Sequence, residues 1–180
     1  MSAQRTSSAQ RESAEPPRSL TVDVVREAGD WSAVAPDFES AVERVADAVA
    51  RCPSAKVRPG MGAVVALADD ATVRALNRTY RAKDKPTNVL SFPSGDPAGL
   101  ALGDIVLALE TVLAEADALD MAPRAHVQHL VVHGLLHLLG FDHEHVEDAT
   151  AMERLETEIL ASIGVADPYA GTEPVAADIA

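Results

Sequence analysis

Apolar positions alternate in some stretches of this chain and recur every three or four residues in others, and the changes of period outline its elements. Leu20, Val22 and Val24 alternate with polar residues, which predicts a first strand over Leu20–Arg26. Phe38, Val42, Val45 and Val49 then share one face of a helix over residues 36–52. A short apolar run at 63–68 predicts a second strand. Asp69 and Asp70 are ready N-caps for a helix reaching residue 80, with Leu76 facing inward. Pro86 breaks the chain, and residues 89–92 read as a strand ended by Pro93. A loop bearing Gly95, Pro97 and Gly99 leads to a strand at 104–109, of which Asp104 is the first residue, and then to a helix at 111–119. Pro123 opens a helix that is apolar on nearly every side, from Val127 to Leu139. The last helix, residues 146–163, packs Met152, Leu155, Ile159 and Leu160.

Adjacent strands joined by a hairpin-like loop, with helices gathered late, predict an α+β fold. It should hold a small mixed β-sheet of about four strands packed with about five helices, the histidine-bearing helix at its centre. A chain of 180 residues with 47% hydrophobic content can bury a full core in one domain, residues 20–166. Residues 1–19 are rich in Ser, Ala, Gln, Arg and Pro and read as a disordered N-terminal arm, and residues 167–180 read as a C-terminal tail. No apolar core of a secretory signal follows the early arginines, and no run approaches the roughly 18 apolar residues of a membrane span. Cys52 is the only cysteine, so no internal disulfide forms, and a cytoplasmic protein without a membrane partner is expected.

Net charge of −13 argues against general nucleic-acid coating, and no DNA partner is expected. The distribution changes that picture. Arg74, Arg78, Arg81, Lys83 and Lys85 fall within twelve positions that hold one acid, Asp84. A local cationic stripe on an acidic protein suits a selective polyanion contact. A solvated helix face accounts equally well for Arg74 and Arg78.

The densest chemical signal lies at residues 133–143, where three histidines are spaced H-x3-H-x5-H. Positions four apart share a helix face, so His133 and His137 can aim their imidazoles at one point. Gly140 can cap the helix and turn the chain so that His143 joins them. Three neutral imidazoles with a fourth position open suit a catalytic zinc, which lowers the pKa of bound water from about 15.7 to about 7. A lone histidine in an apolar helix is more often a hydrogen-bonded core residue; three at this spacing favour metal. His126 and His129 extend the same face as supporting, substrate-facing or ordinary helix histidines, and His145 is given no role. The spacing is also that of metzincin proteases, but their general-base glutamate is replaced by Gly134. A peptidase would need another carboxylate, such as Asp142 or Glu144, at the metal-bound water.

A second segment runs Asn77-Arg78-Thr79-Tyr80-Arg81-Ala82-Lys83-Asp84-Lys85-Pro86-Thr87-Asn88-Val89-Leu90-Ser91-Phe92-Pro93. With Gly103-Asp104-Ile105 and the histidine motif, it closely resembles the YbeY family of bacterial metal-dependent endoribonucleases. The resemblance covers residues 20–166, and Phe141 stands where tyrosine is common. It implies an endoribonuclease acting in ribosomal RNA processing, in particular at the 3′ end of the small-subunit RNA. It implies one zinc per chain bound by His133, His137 and His143, with Arg81 as the important basic residue beside it. Ribosomal RNA, small-subunit proteins and assembly factors would be the partners.

Phosphodiester chemistry makes sense of these roles. A guanidinium fork at Arg81 suits a phosphate oxygen better than lysine would, and a structural ion pair with a carboxylate is the less favoured alternative. Arg78, Lys83 and Lys85 are candidate RNA contacts. Asp142 either orients a ligand imidazole or serves as general base, the former being favoured. Thr87, Asn88 and Ser91 either line the cleft or hydrogen-bond at a strand edge. Aromatic residues make up only 3% of the chain, leaving Tyr80, Phe92 and Phe141 as stacking candidates, so recognition should rest on phosphates, RNA shape or a partner protein. Two other readings stay open: a non-catalytic ribosome-assembly factor with structural zinc, and a metal-dependent hydrolase of another bond.

Overall fold

The alternation seen in the sequence is realised as one four-stranded mixed sheet in the computed structural model, which describes residues 18–34, 36–142 and 145–170. Its strands are β1 (Leu20–Arg26), β2 (Met61–Ala68), β3 (Val89–Pro93) and β4 (Ala101–Ala108), in spatial order β1-β2-β4-β3. β2 pairs in parallel with both β1 and β4, while β3 closes the edge antiparallel to β4. Five α-helices complete the predicted α+β fold: α1 (Phe38–Arg51), α2 (Asp70–Arg81), α3 (Leu109–Ala118), α4 (Pro123–Leu138) and α5 (Val146–Ser162).

Because successive strand side chains point to opposite faces, the sheet divides the apolar residues into two layers. Val65, Ile105 and Leu107 join α1, α4 and α5 in the main core, whereas Val106 and Ala108 meet Val73 of α2 and Leu90 on the other side. α4 packs against α1, α3, α5, β3 and β4, which is why its sequence is apolar almost all round. Ten of its sixteen residues are buried, and its exposed strip is therefore narrow. That strip carries His129, His133 and His137.

Two features differ from the sequence-based expectation. β4 starts at Ala101, so Asp104 lies inside the strand, opposite Phe92 and Val64, and does not begin it. The register shifts after Gly62, with Ala101 and Gly103 facing successive β2 residues and Leu102 left over as a bulge. Gly103 has φ +134°, and a Cβ there would fall 2.1 Å from the Phe92 carbonyl oxygen, so the glycine that reads as a loop residue is what lets the strand continue. A 3-10 turn at Trp31–Ala33 also carries no periodic signal. Trp31 is 2% exposed there, and its indole N–H donates to the Ala68 carbonyl at 3.2 Å.

Residues 1–17 of the expected arm and 171–180 of the expected tail lie outside the described residues. Packing continues past residue 166 as far as Tyr169, which touches α4 and α5. No helix among the described residues is long and apolar enough to cross a membrane.

Candidate metal centre

Pro123 at the first turn pre-sets the backbone of α4, and Gly140, at φ +92°, terminates the helical path just beyond Leu138. On the helix between them His133 and His137 sit one turn apart, with ring centroids 4.5 Å apart and Nε2 atoms 3.0 Å apart. Their other nitrogens are spoken for. His133 Nδ1–H donates to Glu156 Oε1 at 2.7 Å, and His137 Nδ1–H donates to the Phe141 carbonyl at 3.0 Å. A carboxylate and a carbonyl only accept, so each ring in its neutral form carries the proton on Nδ1, and the two Nε2 lone pairs then converge on one place. Two facing lone pairs repel one another unless a cation lies between them. The donor set therefore fits a divalent metal favoured by imidazole nitrogen.

His143, the third expected ligand, lies outside the described residues, as does Glu144, a carboxylate a peptidase would need. No group of three or more His, Cys, Asp or Glu side chains is gathered as a metal cage among the described residues. Asp142 is exposed just after the turn. The orienting acceptors of His133 and His137 are Glu156 and the Phe141 carbonyl, so any orienting role for Asp142 would concern His143.

Glu156 escapes a reading of the histidine motif alone, yet it is the most deeply placed acid of the site, at 1% exposure. It accepts from His129 Nε2 at 3.1 Å as well as from His133, and the Tyr169 hydroxyl donates to it. Burial pushes its carboxyl up, but the two imidazole hydrogen bonds prevail and hold it at about 2. Burial, and then the neighbouring Glu156 charge, push the Tyr169 phenol well above its ordinary range, so it stays a donor. A signal for Glu156 does exist in the sequence: at the spacing of Met152, Leu155, Ile159 and Leu160 it falls on the apolar face of α5. An acid on a core-facing stripe needs a buried partner.

His126 is buried and supports the fold rather than facing substrate. Its Nε2 meets Glu115 Oε2 at 2.8 Å, and the Asn88 side-chain amide donates to the same oxygen at 2.9 Å. Burial pushes the Glu115 carboxyl up, and the hydrogen bonds from His126 and Asn88 outweigh it, leaving it below the usual carboxylate range. Through this carboxylate the start of β3 is tied to the helix that carries the histidines.

The residues of the cationic stripe differ in their surroundings. Arg74 spends its guanidinium on both oxygens of Asp84, at 2.9 and 3.0 Å. Those hydrogen bonds hold the Asp84 carboxyl below its ordinary value. Arg81 ends α2 on the exposed side and makes no ion pair or side-chain hydrogen bond among the described residues. Arg78 and Lys85 are exposed, while Lys83 is half-buried. The loop that follows Arg81 is fixed from beneath. Asn77, 3% exposed, donates its side-chain amide to the Lys85 carbonyl at 2.8 Å and accepts the Lys83 N–H at its backbone carbonyl. Ala82 turns the chain with φ +56°. Tyr80, 68% exposed beside these cations, meets Phe92 edge-on at 5.3 Å.

The family profile described as Endoribonuclease YbeY matches residues 27–164. A protein named Endoribonuclease YbeY from Azorhizobium caulinodans is 47% identical over 155 residues, covering 84% of this chain and 97% of its own. Its namesake from Rhodospirillum rubrum is 50% identical over 157 residues, covering 79% of this chain and 78% of its own. Another, from Sinorhizobium medicae, is 43% identical over 166 residues, with 87% and 98% covered. A solution structure of a Thermotoga maritima protein superposes with a TM-score of 0.50 at 21% identity, over 79% of this chain and 91% of that one, which supports the fold.

Proposed function

As the chain belongs to the Endoribonuclease YbeY family of hydrolases, we propose that it is a zinc-dependent endoribonuclease that acts on single-stranded regions of ribosomal RNA. Its task would be 3′-end maturation of the small-subunit RNA and ribosome quality control in the cytoplasm, beside small-subunit proteins and assembly factors. The observation that carries the metal part is the convergence of His133 and His137 Nε2, each ring held by an acceptor at Nδ1. His133, His137 and His143 would hold one zinc per chain, within a single domain spanning residues 20–166.

Bound zinc supplies Lewis-acid neutralisation of charge developing on the phosphodiester. The chain's own residues do the rest. Arg81, exposed and without an ion-pair partner among the described residues, offers a permanent charge and a planar fork to a phosphate oxygen. Arg78, Lys83 and Lys85 extend the phosphate track, and Tyr80 offers an exposed ring for one base. Asp142 orients the remaining ligand or takes the proton of the attacking group. The buried Asn77 amide holds the loop so that these cations keep a fixed relation to α2.

A peptidase is disfavoured by packing. The position of its glutamate base is Gly134, where even a Cβ would press on Ile105 of β4. The deciding experiment is cleavage of precursor small-subunit RNA by the protein, with His137→Ala and Arg81→Ala prepared identically. Loss in both folded variants is expected. Equal cutting by all three would mean a contaminating nuclease and would leave a zinc-bearing assembly factor as the better reading.

A further inference from the structure

We propose that Glu156 and Tyr169 are a positioning pair for the metal centre: the carboxylate holds His133 in the tautomer that presents Nε2, and the tyrosine hydroxyl holds the carboxylate. The inference rests on the zinc reading above. A neutral imidazole carries its proton on either nitrogen, and only the Nδ1–H form leaves Nε2 able to ligate. Glu156 selects that form from α5, a separate helix, through the 2.7 Å contact of Oε1 with His133 Nδ1. Its second oxygen receives His129 and Tyr169. Three donors converge on two acceptor oxygens, which leaves the carboxylate no freedom to turn away from His133.

Tyr169 reaches this position because the chain folds back after α5. Gly164, at φ +79°, makes the turn, and the Val165 N–H is accepted by the Leu160 carbonyl at 3.0 Å. Asp167 Oδ1 then accepts from the Thr157 hydroxyl at 3.1 Å and from the Tyr169 N–H at 2.9 Å, fastening the segment to α5. The Tyr169 ring stands edge-on to His129, centroids 5.4 Å apart at 86°. The segment after α5 is thus a strap that locks the acid behind the ligand. A glutamine at 156 would offer its three donors one acceptor and one competing donor, so it tests orientation with little change of volume.

The test is zinc affinity of the full chain, measured by competition with a chromophoric chelator, for wild type, Glu156→Gln and Tyr169→Phe. Glu156→Gln should bind zinc about 10- to 100-fold more weakly, the range typical of partners behind a metal ligand. Tyr169→Phe should lose less, about tenfold at most. A folded Glu156→Gln that binds zinc as wild type does overturns the proposal while leaving the zinc reading intact. Wild type that binds no zinc overturns both. If Glu156→Gln does not fold, Tyr169→Phe decides, together with nitrogen-15 NMR of the metal-free wild type. Weakened binding and an Nδ1–H tautomer at His133 uphold the pair, and wild-type affinity or an Nε2–H tautomer overturns it.

Discussion

Gly134 lies flat against Ile105: a Cβ built on the glycine would come within 2.9 Å of both Cδ1 and Cγ2 of the isoleucine. Ile105 is fully buried in β4, so α4 approaches the sheet as closely as it does only because position 134 has no side chain. Gly134→Ala gains about 1 kcal/mol of helix propensity but overpacks the contact by about 1–3 kcal/mol. We expect a net loss of about 1 kcal/mol by urea unfolding, partly recovered when Ile105→Val is added. A variant more stable than wild type would show that the helix can back away at no cost.

Arg81 should matter for catalysis and hardly at all for folding. An exposed side chain without an ion-pair partner among the described residues leaves stability within about 0.5 kcal/mol when it is replaced. Arg81→Lys keeps the charge and loses the fork, so cleavage should fall about tenfold or more, and in Arg81→Ala about 10²- to 10³-fold. Equal rates for lysine and arginine would reduce the residue to a point charge.

Metal removal should affect activity and stability together. Dialysis against a chelator is expected to abolish RNA cleavage, and zinc readdition to restore it. Zinc at about 100 times its dissociation constant should stabilise the fold by about 2.7 kcal/mol, because the unfolded chain holds no assembled site. An unchanged melting temperature after complete removal would contradict this.

Acid should loosen the β3–β4 loop at Asp96. Its carboxylate accepts the N–H groups of Ala98, Leu100 and Ala101, at 2.9–3.0 Å, and these bonds lower its pKa. A depressed folded value means that its contribution is complete above the unfolded pKa of about 3.9 and is lost as pH falls through the folded one. Asp96→Asn should therefore lower the urea midpoint relative to wild type at neutral pH. The gap should narrow as pH drops below about 4. A gap independent of pH would mean that the amide caps the loop as well as the carboxylate does.

Local pattern was enough for the helices and strands and for the shared face of His133 and His137. Alternation at Leu20, Val22 and Val24 and the all-round apolarity of α4 depend only on side-chain period, and that period survives in the structure. The four-residue spacing of His133 and His137 likewise places both rings on one helix face whatever surrounds the helix. The bulge at Leu102 carried no such signal, since a glycine at φ +134° reads as a turn until its neighbour strand is known.

What the sequence by itself determined is which side chains share a face, because that follows from helical and strand geometry within a few residues. Only the tertiary structure decided what each face meets. Glu156 lies 23 residues beyond His133 and Tyr169 another 13, so no local period relates the three. The pairing of Asn88 and His126 on Glu115 depends in the same way on α3 and α4 lying side by side. Hydrogen-bond partners across elements are chosen by the packing of the core, and that packing is a property of the whole chain.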